Sequence, residues 1–275
     1  YGDLKWVNEQ FLSVNSEQVG CGFITWTLKD KPEVLEASLD FNPRALLLSF
    51  GDPRDYAKRV KDRNILLICQ IQTFKDAQNA LECGADIIVA QGSEAGGHGE
   101  KRGTMSLVPE IADLISTQYP EALLCAAGGI ADGRGLAAAL MLGADGVLMG
   151  SRLWASREAN VSEEMHGEAL NATGDSTIRT SVMDVVRSLD WPERYNARVL
   201  KNQFTDKWHN NQAELLDASE IEAPLWAAAW KKGDPEKSNT FVGEATGLIT
   251  EIDSVQSIID STISQAKELL DKKWS

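Results

Sequence analysis

The sequence predicts an α/β protein built on a parallel sheet. Short apolar runs recur along the first 152 positions, the one at Ile87–Ala90 rich in β-branched residues, and they are apolar on both faces. Amphipathic helical stretches separate them, as right-handed crossovers require. The tripeptide Gly-Ala-Asp occurs twice, at 84–86 and 143–145, each time joining a helix end to an apolar run. That is a weak internal repeat of a β-loop-α unit rather than a solenoid.

Taken in order, residues 1–19 are polar and weakly patterned. Gly20–Trp26 is the first strand, and Pro32 opens the helix PEVLEASLD. Ala45–Phe50 is the second strand, followed by a short helix over Asp55–Asp62. Ile65–Ile71 is the third, and Thr73 N-caps the helix that runs to Cys83, where Gly84 stops it. Ile87, Ile88, Val89 and Ala90 form the fourth strand, ending at Gln91-Gly92. A helix over Pro109–Thr117, a strand over Leu123–Ala127, a helix over Gly135–Leu142 and a strand over Gly146–Gly150 complete six βα-type strands. Beyond residue 152 strand signals fade and tryptophans scatter among polar segments, which reads as a helical and loop cap. Motif-like pieces stand out there: TIRT at 177–180, WPERY at 191–195 and GEAT at 243–246. Ser254–Leu270 is a closing helix with Val255, Ile258, Ile259, Ile263, Ala266, Leu269 and Leu270 on its apolar side.

The chain of 275 residues carries a net charge of −14 with 43% apolar and 25% charged residues. This acidity argues against nucleic acid as a partner, since phosphate binding needs basic clusters. No apolar run approaches the ~20 residues of a membrane span. The opening Tyr-Gly-Asp-Leu-Lys-Trp has no basic n-region or apolar h-region, so no secretory signal is expected and the native start is not fixed. Cys21, Cys69, Cys83 and Cys125 form no C-x-x-C pair. They read as reduced thiols of a cytoplasmic protein, with no metal site expected.

Chemistry concentrates in the loop after the fourth strand. His98 stands between Gly96-Gly97 and Gly99, in a loop whose glycines let a flat ligand approach the backbone. A histidine at the carboxyl end of a buried strand is where an α/β protein places chemistry; an incidental histidine on a surface loop is the plainer reading. Two further loops suit a phosphate. Ala127–Arg134 (AGGIADGR) and Met149-Gly150-Ser151 both follow strands, precede helices and expose backbone N–H groups. They follow the last two strands, where (β/α)₈ barrels commonly bind phosphate. The Gln91 amide could meet a heterocycle edge or satisfy its own loop. Glu94 could orient His98, cap the loop or simply be solvated. Arg134 and Arg152 could pair an anion or form surface salt bridges, and Asp132 caps the next helix. His166 and His209 lie in the cap without supporting neighbours. No G-x-G-x-x-G follows a strand, and no Ser-His-Asp order or nucleophile elbow is present.

Three stretches together, AQGSEAGGHG, AAGGIADGRGLAAALMLGADGVLMGSR and SVMDVVRSLDWPERYNARVLKN, resemble the nitronate monooxygenase family, once called 2-nitropropane dioxygenases. The resemblance covers essentially the whole chain. It implies a TIM-type (β/α)₈ barrel binding FMN and oxidising alkyl nitronates with dioxygen to a carbonyl compound and nitrite. Residue by residue it makes His98 catalytic. Gln91 and Gly96 become flavin contacts of the histidine loop, and Gly129 the flavin-binding glycine after the penultimate strand. Leu148, Met149, Gly150 and Ser151 become the phosphate-binding tetrapeptide. Leu148 and Ser151 depart from the Gln and Thr often found at its ends, although a main-chain donor tolerates both and serine keeps a hydroxyl.

The resemblance also implies two βα units ahead of Gly20–Trp26, so six strands are expected here in an N-terminally truncated barrel. Either the chain is part of a longer product or residues 1–19 partly plug the gap. The family's asparagine on that first strand is not visible; Ile24 or Thr25 stands near its place. The implied division is 1–152 as a partial barrel, 153–250 as a helical cap or insert, and 251–275 as the closing helix. The implied partners are a nitronate or nitroalkane and O2, with no nucleic acid or membrane and with an oligomer allowed. A flavin-dependent enoyl-acyl-carrier-protein reductase and a truncated inactive relative are the alternative readings.

Overall fold

A computed structural model describes residues 2–15 and 18–272 of the chain. Tyr1 and residues 16–17 of the polar leader, and 273–275 of the expected closing segment, lie outside the described residues. The strands are β1 (Gly20–Ile24), β2 (Ala45–Ser49), β3 (Leu66–Ile71), β4 (Ile87–Gln91), β5 (Gly97–Gly99), β6 (Leu123–Ala127), β7 (Gly146–Leu148), β8 (Thr177–Thr180) and β9 (Asn196–Leu200). The helices are α1 (Leu4–Leu12), α2 (Pro32–Asp40), α3 (Arg54–Asp62), α4 (Phe74–Glu82), α5 (Thr104–Gln118), α6 (Gly133–Met141), α7 (Ser151–Trp154), α8 (Glu163–Asn171), α9 (Val182–Val186), α10 (Gln203–Trp208), α11 (Gln212–Asp217), α12 (Ser219–Lys232) and α13 (Val255–Leu270). Six strands form one sheet in chain order, β1-β2-β3-β4-β6-β7. The first four pair in parallel register, Gly20 opposite Ala45, Ala45 opposite Leu66, and Ile68 opposite Ile87. Among the described residues no helix is long and apolar enough to cross a membrane.

The chain forms two compact units. The first comprises residues up to Gln91, Met105–Ala126 and Leu142–Asp145. Its strands carry buried Leu46, Leu48, Leu67, Ile88 and Val89, under helices that bury Leu35, Leu39 and Val60. Removing such side chains from water is the main force closing the unit. The Gly-Ala-Asp repeat gains a physical explanation here. Gly84 and Gly143 take left-handed φ of 82° and 95° after their helices. The following aspartates then fasten neighbouring strand starts, Leu67 N–H donating to Asp86 at 2.7 Å and Leu124 N–H to Asp145 at 2.8 Å. Lys61 also donates to Asp86, at 2.6 Å.

The leader holds more order than its polar composition predicts. Asp3 accepts from Trp6 N–H at 2.8 Å and caps α1. Val7 and Phe11 of that helix pack with Val34, and Phe11 stacks on Phe41 at 4.8 Å. Of its five apolar residues only Val7 and Phe11 are buried, too narrow a face to stand out in the sequence.

The second unit comprises Gly92–Thr104, Ala127–Met141 and Gly146 onward. The region read as helix and loop also contains strands, since β5, β9 and β8 form an antiparallel sheet in that order. Val182, Met183, Val199, Phe204, Trp208 and Trp226 fill its core, so two of the scattered tryptophans are buried. The closing helix starts as expected, with Ser254 accepting from Ser257 N–H at 3.1 Å. Its buried face differs: Ile258, Thr262 and Ala266 are inside, whereas Ile259, Ile263 and Leu270 are exposed. The reason is a close approach to α6. A Cβ at Gly133 would lie 2.5 Å from Ala266 N, and Gly133 N–H donates to Gln265 at 2.7 Å. Only the i, i+4, i+8 row centred on that crossing is covered.

Candidate active site

The expected glycine loop is a built element. Gly97–Gly99 pairs antiparallel with β9, His98 opposite Ala197, which fixes the backbone that carries the imidazole. The glycines serve different ends. A Cβ at Gly92 would fall 2.0 Å from Thr104 Oγ1, and one at Gly96 would fall 2.5 Å from the Val242 carbonyl carbon. These two are glycine because protein packs against them. Gly97, at φ 75°, has nothing within 4 Å of its Cβ position.

His98 is buried, and its Nε2 lies 2.8 Å from Asp184 Oδ2. Asp184, on α9, is buried as well and accepts through Oδ1 from Arg187 Nη2 at 3.1 Å. The Trp191 ring lies flat on the imidazole, centroids 3.5 Å apart and planes within 5°. Tyr195 meets Trp191 edge-on at 6.1 Å, and Arg194 lies over Tyr195 while pairing with Glu100. The carboxylate against His98 Nε2 is therefore that of Asp184.

Glu94 caps a helix instead. Both its carboxylate oxygens accept from Thr104 N–H at 3.0 Å, and Oε2 accepts from Thr104 Oγ1 at 2.9 Å. This remote cap lets α5 begin at Thr104, five residues before the expected Pro109 start. Gly129, at φ 74°, rests against Glu94, whose Cβ lies 3.3 Å from the glycine's Cβ position. Two arginines hold the same loop from behind. Arg179 and Arg198 donate to the Ser93 carbonyl at 3.2 and 3.1 Å. Burial, and then Arg198 beside it, pulls the Arg179 guanidinium down to about 10.

The turn at Gly243-Glu244 ties the loops together. Glu244 N–H donates to the Glu94 carbonyl at 2.9 Å, and its carboxylate pairs with Arg198 at 2.8 Å. Gly243 N–H donates to Ser151 Oγ at 2.8 Å. The histidine loop, Gly129 and Ser151 are thus brought together through one turn. Leu148 ends β7, Met149 follows it, and Gly150 has nothing within 4 Å of its Cβ position. Arg134 is taken by Asp132 at 2.5 Å, and Arg152 donates to the Ala155 and Glu251 carbonyls at 3.1 Å, so both are structural. Asp132 caps α6 as expected, accepting from Arg134 N–H at 2.9 Å. His166 meets the Trp154 carbonyl at 3.0 Å. In the first unit, Gln91 Oε1 accepts from Gln70 and Gln72 Nε2 at 2.6 and 2.7 Å.

Asp184, Trp191, Arg179, Arg198 and Glu244 escaped the residue-level reading. Each lies in a stretch that stood out as a motif, but the contacts join positions about a hundred residues apart, which no local period records.

The sequence profile of the family described as nitronate monooxygenase matches residues 14–265. A nitronate monooxygenase of Metarhizium robertsii, npaC, is 34% identical, the match covering 92% of this chain and 74% of the relative. The chain belongs to the nitronate monooxygenase family. Another nitronate monooxygenase, from Neurospora crassa, is 32% identical over 87% of this chain and 68% of its own length. Among solved structures, FabK from Thermotoga maritima superposes with a TM-score of 0.82 at 28% identity, over 97% of this chain and 81% of that one. A nitroalkane oxidase from Streptomyces ansochromogenes, 22% identical, shares the fold with a TM-score of 0.73 over 98% of this chain and 78% of that one. The six parallel strands are of the TIM-type (β/α) class, and this member of the nitronate monooxygenase family is a flavin-dependent oxidoreductase.

The residues fit such a cofactor. The open space at Gly150 and Gly97 leaves room beside backbone. The Ser151 hydroxyl accepts from Gly243 N–H, and its own proton is left to donate. Main-chain N–H groups and one hydroxyl after a strand are a phosphate donor set.

Proposed function

We propose that this nitronate monooxygenase family member oxidises alkyl nitronates with dioxygen to a carbonyl compound and nitrite, using FMN, and that it also accepts neutral nitroalkanes. The observation that carries the reading is His98, its Nε2 2.8 Å from Asp184 and its ring flat against Trp191. A buried, oriented imidazole suits proton transfer with a bound substrate. Gly129 and Leu148–Ser151 hold the phosphate through main-chain N–H groups and the serine hydroxyl. Gly96 keeps the histidine loop close to its packing turn, beside the flavin. For Gln91 a flavin contact rests on the family resemblance alone. When bound, FMN would supply the redox chemistry of the reaction. His98 takes the α-proton when the substrate is a neutral nitroalkane. The division at 152 and 250, a cytoplasmic location and small-molecule partners limited to substrate and O2 belong to the same proposal.

The test is a visible spectrum of the purified chain with added FMN, followed by oxygen uptake with propionate 3-nitronate. A flavin spectrum with nitronate-dependent oxygen uptake and nitrite release is expected. NAD(P)H consumption with an enoyl thioester, and none of these with nitronate, overturns it in favour of a reductase. A colourless chain overturns it in favour of an inactive relative.

A further inference from the structure

The helix α12 has two dissimilar faces. Trp226 and Ala229 are buried in the second unit, and Glu222 pairs with Lys207 at 2.8 Å. Turned away from them, Ile221, Pro224, Leu225 and Ala228 are all exposed. Their spacing of i, i+3, i+4 and i+7 makes one apolar stripe along the helix. Ile221 is 70% exposed and Leu225 61%, so the stripe is open along its length. Charges stand at its two ends, sorted by sign. Asp217 and Glu220 come before it, and Lys231 and Lys232 after it. All four are exposed, and none of them forms an ion pair among the described residues. This sorting suits the dipole of the helix. It also makes the face complementary to itself.

We propose that this face of α12 is the contact between two copies of the chain, the two helices lying antiparallel across a two-fold axis. A two-fold contact sets one patch against itself, so that residue i meets j and j meets i. With the axis between Pro224 and Leu225, Ile221 of one copy faces Ala228 of the other, and Asp217 faces Lys232. The acidic end of each helix then meets the basic end of its partner, twice per dimer. A parallel pair would set like charge on like charge at both ends. The small Ala228 opposite Ile221 lets the two axes approach to roughly 8–10 Å. The helix has 14 residues. A single pair of that length buries less than the ~1,200 Å² of a standard interface, so the dimer is weak and reversible, half formed at about 10–100 μM. The net charge of −14 opposes association at long range, and the matched helix ends supply the local attraction. The proposal does not depend on the chemistry given to His98.

The test is sedimentation velocity of the whole chain from about 1 to about 500 μM, a range that brackets the expected midpoint. The dimer fraction is expected to rise with concentration. Leu225→Glu sets a carboxylate in the middle of the stripe and is expected to weaken the dimer at least about tenfold. Ala228→Glu does the same one turn further on and decides if Leu225→Glu does not fold. Two charge variants test the antiparallel register. Asp217→Lys with Glu220→Lys makes both ends basic, and Lys231→Glu with Lys232→Glu makes both acidic. Each alone is expected to lose the dimer. The basic variant does so although its net negative charge is smaller, so general repulsion is not the cause. Mixed in equal amounts, the two are expected to regain the wild-type dimer, because every acidic end again finds a basic one. A wild-type chain that stays monomeric over the whole range overturns the proposal. So does a dimer that the glutamate in the stripe leaves intact, or a mixture of the charge variants that stays monomeric.

Discussion

Replacing Gly96 with alanine tests whether the histidine loop is pinned to the 242–244 turn. The new methyl group would lie 2.5 Å from the Val242 carbonyl carbon, 2.6 Å from Gly243 N and 2.8 Å from Val242 Cα. Ordinary contacts between carbons begin near ~3.5 Å, so backbone must move by about 1 Å. All three neighbours are main-chain atoms, and no rotamer change relieves them. Overpacking of this kind costs about 1–3 kcal/mol. For a chain of this size that is a fall in melting temperature of roughly 2–10 °C. The displacement also reaches the cofactor loop, because Gly243 N–H donates to Ser151 Oγ and Glu244 N–H to the Glu94 carbonyl. FMN affinity is expected to drop about tenfold, some 1.4 kcal/mol. Thermal unfolding of the apo chain and fluorescence titration with FMN read the two effects separately. Gly150→Ala is the comparison, since its methyl enters open space at φ −96° and its apo stability is expected within ~0.5 kcal/mol of wild type. A Gly96→Ala chain that melts with the wild type refutes the packing argument.

Three other outcomes are expected. Glu94→Ala strips the remote cap from α5 and leaves Thr104 N–H without its acceptor, lowering stability by about 1–2 kcal/mol in urea unfolding, whereas Glu94→Gln loses about half of that. His98→Asn is expected to keep the flavin spectrum and lose nitroalkane turnover; unchanged turnover removes His98 from the chemistry. Burial pushes the Cys69 thiol from an ordinary 9.0 up to about 12. The unfolded chain therefore releases this proton first, so the contribution to stability is complete below pH 9 and fades as pH rises from 9 towards 12. Iodoacetamide at pH 8.5 is accordingly expected to label Cys69 only in denaturant, as mass spectrometry of the labelled peptides will show.

The strands were legible because parallel strands are buried on both faces and must be apolar throughout, as Leu46–Leu48 and Ile87–Ala90 are. Caps at Thr73, Asp132 and Ser254 were legible because the acceptor sits within three residues of its donor. The start of α5 was not, because its cap, Glu94, lies ten residues upstream. The exposed side of α13 was misread for a related reason. Periodicity reports which residues are apolar, while a crossing at Gly133 decides which of them are covered.

By itself, then, the sequence determined the order of strands and helices and the single histidine set among glycines, because those are properties of neighbouring residues. Tertiary structure alone decided what that histidine meets. Asp184 lies 86 positions from His98, and Trp191 and the Gly243 turn lie further still. Contacts across such separations are set by how packed elements meet in space, and one chain read in one dimension carries no trace of that meeting.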